Sequence, residues 1–404
     1  MLLVGIVKTN ASMSRVPVVA APAGRQHGPY HLHFGRYHPA LSSPSHARAA
    51  KDQIVASLYQ WGTVMRAVRF ETGGVVKIVQ IPDPRPGPEE VLVQVHAAGV
   101  CRTDLHLLDQ VKASERKPLV PGHEIAGRVS KIGADVYATN VGDRVVVHFE
   151  QPCGQCRQCR RMRTNLCEKG HSLGFDAPGG YAEFVVAKQN TVLPLPPNLD
   201  PAMGAPLGCS GATAYRSVVA LGHADEDDLV VVIGAGGVGL SAIQIARVQG
   251  ARVLAVDPRE EAQKAALDSG AQSAAPPQEA ESAAKDLAAN EGVDLVIDLV
   301  GTRATCDLGR SLLGFGGRFV AVAPGTESVS VAAEDLVRGG KAYLGSYSST
   351  MADLARVIAL AEAGRLGPVV TRRAPLEDAA EVLGDLRAGK IVGRAVLFPG
   401  PMNP

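Results

Sequence analysis

The rhythm of apolar and polar positions divides the chain near Met65. Over residues 1–64 no period of two or of 3.6 persists, so neither strand nor helix is predicted there. From Met65 onward short apolar runs take over. MRAVRF and VVKIVQI read as strands, and Pro82, Pro84, Pro86 and Pro88 then interrupt the pattern. EVLVQVHAAGV sets Val91, Val93 and Val95 on one face, as a half-buried strand does. LVVVI, at 229–233, reads as a buried strand, and the helix predicted after it carries Leu240, Ile243 and Ala246 on one face. RVLAV and the runs at 295–300, 318–322 and 342–344 read as further strands separated by helix-like stretches. That alternation predicts the α/β class, with a doubly wound parallel sheet. MADLARVIALAEAG places Leu354, Val357, Ile358 and Ala361 at helical spacing, a stripe assigned to core packing alone.

Composition sets outer bounds. A length of 404 residues suggests two or three domains. A net charge of +1 gives no electrostatic footprint for nucleic acid. No apolar run approaches the roughly 20 residues that cross a bilayer. A soluble protein with neither nucleic-acid nor membrane partners is therefore expected. Thiols used as metal ligands suit a reducing compartment, hence the cytoplasm. Residues 1–64 hold six Lys or Arg against the single acid Asp52, together with His27, His31, His33, His38 and His46. This balance fits a disordered extension or a start assigned upstream of Met65, with an organellar transit peptide as the other reading. The five histidines are taken as unstructured rather than as a metal site.

Three constellations carry chemistry. Cys153, Cys156, Cys159 and Cys167 fall within fifteen residues, in CGQCRQCRRMRTNLC. Cysteines so tightly tethered make poor disulfide partners, because a bridge demands particular Cβ geometry. Four thiolates at this spacing suit one tetrahedral zinc closed on all sides, which staples a loop lacking its own core. The second constellation begins at Cys101 in CRTDLH. His123, in Gly122-His123-Glu124, follows 22 residues later, and Cys209 lies far beyond in APLGCSGATAY. Two thiolates and an imidazole would give zinc three ligands and leave one position open, and Asp104 could accept the other ring N–H of His123. Taken singly, each residue has a plainer reading, as a small apolar thiol or a satisfied core histidine.

The third constellation is LVVVIGAGGVGL, where a strand runs into Gly234-x-Gly236-x-x-Gly239 and a helix follows. Gly234 permits the tight turn, Gly236 lets backbone approach a pyrophosphate, and Gly239 lets helix pack on strand. The helix start offers unpaired N–H groups to the phosphates. Asp257 ends RVLAV 18 residues past Gly239, where a carboxylate binds the ribose 2′-OH of NAD.

Together and in this order, the motifs resemble those of the zinc-dependent alcohol dehydrogenases of the medium-chain dehydrogenase/reductase superfamily, from about Met65 to Phe398. The resemblance implies a GroES-like catalytic domain at 65–212, an inserted Rossmann domain at 213–346 and a return to the catalytic domain at 347–404, with the active site between them. It implies Cys101, His123 and Cys209 as ligands of a catalytic zinc, the Cys₂His set long associated with alcohol dehydrogenases. It likewise implies Cys153, Cys156, Cys159 and Cys167 as ligands of a structural zinc. Glu124 matches a carboxylate that assists ligand exchange. Thr103 matches the hydroxyl that takes the alcohol proton, and His106 the far end of that relay. Arg102 and Thr213 match contacts to the pyrophosphate and nicotinamide of NAD, beside Gly234, Gly236, Gly237, Gly239 and Asp257. GGYAEFVV and PLGCSGATAY look most like the bacterial primary-alcohol enzymes, often tetrameric, so a homo-oligomer, tetramer or dimer, is expected. A polyol or sugar dehydrogenase of the same superfamily is the alternative. A zinc-free quinone or enoyl reductase would need neither cysteine set, and a non-catalytic relative would not need an intact relay and nucleotide site together.

Overall fold

Val64–Glu71 pairs antiparallel with Val75–Pro82 to form a hairpin at the start of the described chain. The computed structural model describes residues 64–288, 291–325 and 327–400. The readings made for the segment before Val64, its five histidines included, lie outside the described residues.

Two sheets organise the rest. A seven-stranded sheet runs in the order Val370–Pro375, Arg394–Phe398, Glu90–Val100, Glu124–Ile132, Arg144–Val147 and Val192–Pro194, with Phe184–Lys188 also paired to Glu90–Val100. The expectation of a half-buried strand at 90–100 needs correction, because Val91, Leu92 and Val93 are all buried, as are Ala97, Ala98 and Val100. Its register shifts between Leu92 and Val93 and between Val95 and Ala97, and apolar layers cover both its faces. Central strands so covered lose the simple alternation.

The second sheet has six parallel strands in the order Ser273–Ala275, Arg252–Val256, Leu229–Ile233, Val293–Asp298, Leu313–Ala321 and Ala342–Gly345. This is the doubly wound order expected of a Rossmann domain. LVVVI is wholly apolar because it is buried twice: Val230 and Val232 face one core, while Leu229, Val231 and Ile233 face another. The chain thus folds as a GroES-like β domain joined to a Rossmann domain.

The crossings between the sheets are helical. Pro201–Leu221 is one unbroken helical stretch passing through position 212. On the way back, the predicted core helix appears as Met351–Glu362, with Leu354, Val357, Ile358 and Ala361 inward. It packs in one cluster with Ala212 and Val230, and the chain rejoins the seven-stranded sheet only at Val370. Among the described residues no helix is long and apolar enough to cross a membrane.

Candidate active site and metal centres

Cys101 follows the Glu90–Val100 strand and caps the helix Arg102–Lys112. His123 precedes the Glu124–Ile132 strand, which neighbours Glu90–Val100, so both reach one end of the sheet. Gly122 holds φ at 95°, and a Cβ there would collide with the Tyr181 ring. Cys209 arrives on the Pro201–Leu221 stretch, in the widened π turn Leu207–Gly211. Pro206 has no amide to give to the preceding turn, and π turns concentrate at functional sites. The ligand atoms of Cys101, His123, Glu124 and Cys209 all lie within 4.8 Å of one another, and all four residues are buried.

The surroundings orient this cluster. Asp104 Oδ1 lies 3.4 Å from His123 Nδ1. Asp104 Oδ2 accepts the Cys101 backbone N–H at 2.8 Å and the Tyr181 hydroxyl at 2.8 Å. One carboxylate thus fixes both the ring and the helix start, leaving Nε2 of His123 for the cluster. Burial opposes a charge on His123, yet Asp104 and Cys101 hold its pKa well above the ordinary value. A hydrogen bond with Cys209 draws the Cys101 thiol well below its own, against burial and with help from Arg394. Burial pushes Glu124 up to about 7 despite the Arg394 charge. Both Glu124 oxygens and His123 Nδ1 lack a well-aligned hydrogen bond. Two thiols, an imidazole and a carboxyl, packed this closely and held by a second layer, fit a zinc ion in chemistry.

Arg394 and Tyr181 belong to the site, and sequence reasoning missed both. Arg394, 4% exposed, begins the last strand, with Nη2 3.0 Å from Glu124 Oε1 and 3.6 Å from Cys101 Sγ. A Cβ on Gly237 would meet Arg394 Nη1 at 2.6 Å, so one guanidinium joins the cluster to the glycine-rich turn. No local pattern announces it. Tyr181 sits in the GGYAEFVV segment, where flanking glycines around one aromatic were the available hint. Phe149 and Phe175 were missed as well. Their ring centroids lie 5.3 Å and 5.1 Å from that of His123, and the two stack at 5.5 Å, giving the cluster an apolar wall.

Of the expected relay, Thr103 is half-buried with Oγ1 3.6 Å from Cys101 Sγ, while His106 is exposed one turn further along the same helix. Arg102 is exposed at the first helical position. Thr213 is buried one turn beyond Cys209.

The four remaining site cysteines close on one another separately. Their sulfurs all lie within 4.8 Å, and none is in a disulfide. The Cys153 amide donates to Cys167 Sγ at 3.2 Å, and the Cys156 amide to Cys153 Sγ at 3.3 Å. Backbone amides of Cys159 and Glu168 bring the Cys156 thiol down to about 6, whereas burial pushes Cys159 up to about 12. Four sulfurs supported by amides fit a closed tetrahedral zinc.

The glycine-rich turn has the shape of a dinucleotide cradle. Gly234 sits at φ 97°, open to glycine far more readily than to other residues. A Cβ on Gly236 would meet nothing, so the space before it is open to a ligand, whereas one on Gly239 would collide with the Gly234 carbonyl. The helix Gly237–Val248 starts without a side-chain cap, leaving its first amides free. Asp257 is already engaged. Its Oδ2 accepts the Ala235 amide at 2.9 Å, and its Oδ1 lies 3.0 Å from Arg259 Nε.

Comparison with known proteins agrees with this geometry. Residues 87–197 match the alcohol dehydrogenase GroES-like domain family, and residues 237–363 match the zinc-binding dehydrogenase family. An NAD-dependent alcohol dehydrogenase of Sulfurisphaera tokodaii is 35% identical over 83% of this chain and 100% of its own length. A D-arabinose 1-dehydrogenase (NADP(+)) of Saccharolobus solfataricus is 32% identical over 80% of this chain and 94% of its own. Among solved structures, AibC superposes with a TM-score of 0.78 at 33% identity, covering 85% of this chain and 98% of that one.

Proposed function

The chain belongs to the zinc-dependent alcohol dehydrogenases of the medium-chain dehydrogenase/reductase superfamily, and on that footing we propose that it interconverts alcohols with aldehydes or ketones, using NAD and two zinc ions per subunit. The observation that carries this reading is the buried Cys101–His123–Glu124–Cys209 cluster, tied through Arg394 to an open glycine-rich turn. Zinc content together with NADH formation on a panel of alcohols tests it. An assembly of two or four copies in the cytoplasm, and preference for a small to medium primary alcohol, are part of the same reading. The Saccharolobus relative supports the alternative of a sugar or polyol.

When bound, zinc supplies Lewis acidity at the alcohol oxygen and NAD accepts hydride. The chain's own residues do the rest. Cys101, His123 and Cys209 would hold the metal, Asp104 fixes the His123 ring, and Arg394 anchors Glu124 beside it. The Phe149–Phe175 wall gives the cluster an apolar side. Thr103 takes the alcohol proton and His106, facing solvent, passes it on. Thr103→Ala should therefore lower kcat by about 10²–10⁴, the usual worth of a positioned acid–base group. His106→Gln should cost less, since water substitutes for an exposed carrier. Steady-state kinetics decides, and NAD affinity, read by fluorescence titration, should barely move. Normal turnover in Thr103→Ala would remove the hydroxyl from the relay.

Cofactor choice rests on Asp257. A 2′-phosphate would meet its carboxylate, and Arg259, the natural phosphate partner, is held by that same carboxylate. NAD should be preferred over NADP by about a hundredfold in kcat/KM, about 2.7 kcal/mol. Asp257→Ser, which also frees Arg259, should erase most of that margin. A wild-type preference for NADP would overturn the assignment.

A further inference from the structure

Tyr181 is the bulkiest fully buried side chain among the described residues, and it is wedged between the two segments that deliver Cys101 and His123. On the His123 side, its N–H donates to the Pro121 carbonyl at 3.0 Å, and the Gly180 N–H donates to the Gly122 carbonyl at 2.7 Å. Its ring takes the space that a Cβ on Gly122 would need, so the turn before His123 is shaped around it. On the Cys101 side, its hydroxyl lies 2.8 Å from Asp104 Oδ2 and 3.4 Å from the carbonyl of Gly99, the last residue but one of the Glu90–Val100 strand. A phenol has one proton, and the shorter, charge-assisted bond to the carboxylate claims it.

Phenylalanine would fill the same space, so the hydroxyl has a separate part to play. It acts on Asp104. The terminal torsion of an aspartate is soft, and a carboxylate held at one point turns readily about it. Here Oδ2 receives two donors, the Cys101 N–H and the Tyr181 hydroxyl, each at 2.8 Å. That leaves Oδ1 facing His123 Nδ1 at 3.4 Å, and neither of these two atoms has a better partner among the described residues. Phe149 and Phe175 limit the tilt of the imidazole but offer it no acceptor. The direction in which Nε2 of His123 points is therefore set through Asp104 by the phenol behind it.

We propose that Tyr181 is a positioning residue of the catalytic metal centre: its hydroxyl holds Asp104 to His123 and so sets how tightly this centre, and not the four-cysteine lobe, keeps its zinc. The inference rests on the zinc dehydrogenase reading of the same site. Partners directly behind a metal's ligands are worth about 10–100-fold in metal affinity. Tyr181 stands one layer further out, so the lower figure, about tenfold, is the one to expect.

Tyr181→Phe keeps the ring and removes the bond. Zinc-loaded wild type and variant are equilibrated with graded chelator. Zinc content is followed together with the trypsin resistance of the four-cysteine lobe, whose exposed arginines report on its own metal. The variant should lose its first zinc at a free-zinc level about tenfold higher than the wild type does, with the lobe still resistant. Asp104→Asn should cost at least as much. Adding Tyr181→Phe to Asp104→Asn should cost less than about a further twofold, because a hydroxyl acting through that carboxylate has nothing left to act on, whereas a packing role would add in full. Should Tyr181→Phe not fold, Tyr181→Gln, which keeps a donor, is compared with Tyr181→Met, which does not, and glutamine should retain zinc the more tightly. Zinc retention like that of the wild type in Tyr181→Phe, equal loss from both centres, full additivity with Asp104→Asn, or equal retention by the glutamine and methionine variants would each overturn the inference while leaving alcohol oxidation standing. A wild-type protein that holds at most one zinc and reduces NAD with no alcohol would overturn the dehydrogenase reading and this inference with it.

Discussion

Cys101→Ser abolishes turnover while the fold survives: this is the largest effect expected of any single change in the chain. A metal acting as Lewis acid is worth several kcal/mol of barrier, and about 4 kcal/mol is a thousandfold in rate. Serine keeps the size of the side chain but not the soft, readily ionised sulfur on which the site depends. Cys101 also lies 3.6 Å from Arg394 Nη2, so the substitution leaves that buried guanidinium with Glu124 as its remaining ion-pair partner. Elemental analysis should find one zinc per subunit instead of two, with circular dichroism unchanged. A folded Cys101→Ser protein that keeps both metals and a substantial part of its rate would dismantle the ligand assignment.

Cys153→Ser should strike stability first. In the stretch from Cys153 to Cys167 the buried side chains are Cys156, Cys159 and Asn165, so the lobe has next to no apolar core. Its shape then depends on the four sulfurs, and loss of the metal is loss of the local fold. Arg157, Arg160, Arg161 and Arg163 are solvent-facing, which makes trypsin a sensitive reporter. The variant should hold one zinc, melt several degrees lower and be cut among those arginines at least about tenfold faster, since cleavage follows the population of the open form. Wild-type resistance to trypsin in a zinc-depleted lobe would show that something other than metal supports it.

How much of this could be read beforehand depended on how local the signal was. The glycine-rich turn was legible because strand, glycines, helix and terminal acid occupy one uninterrupted stretch, each with its own physical reason. The four-cysteine lobe was legible for the same cause. Cys101, His123 and Cys209 were individually mute; as a trio they suggested an open zinc site, and resemblance to a family then singled them out as its ligands. Arg394 was out of reach, since it stands 293 residues from Cys101 and begins a strand whose text, RAVLF, speaks only of burial. The 90–100 strand misled in the other direction, for its alternating valines report one covered face when the sheet covers two.

The shared core at the base of the cleft limits how the two halves can move. Ala97, Ala126 and Val146 of one sheet lie in the same packed cluster as Val230 and Val320 of the other and Leu240 of the helix Gly237–Val248, with Leu207, Ala212 and Val218 of the crossing helix between them. Interiors packed to crystal density do not stretch. Swinging the domains apart like a book would tear that seam and open a void, whereas small sliding of helix against sheet keeps it filled. Cys209 and Thr213, one turn apart on the same crossing, therefore travel together. Sliding of this kind keeps the spacing between the metal-ligand cluster and Thr213 unchanged.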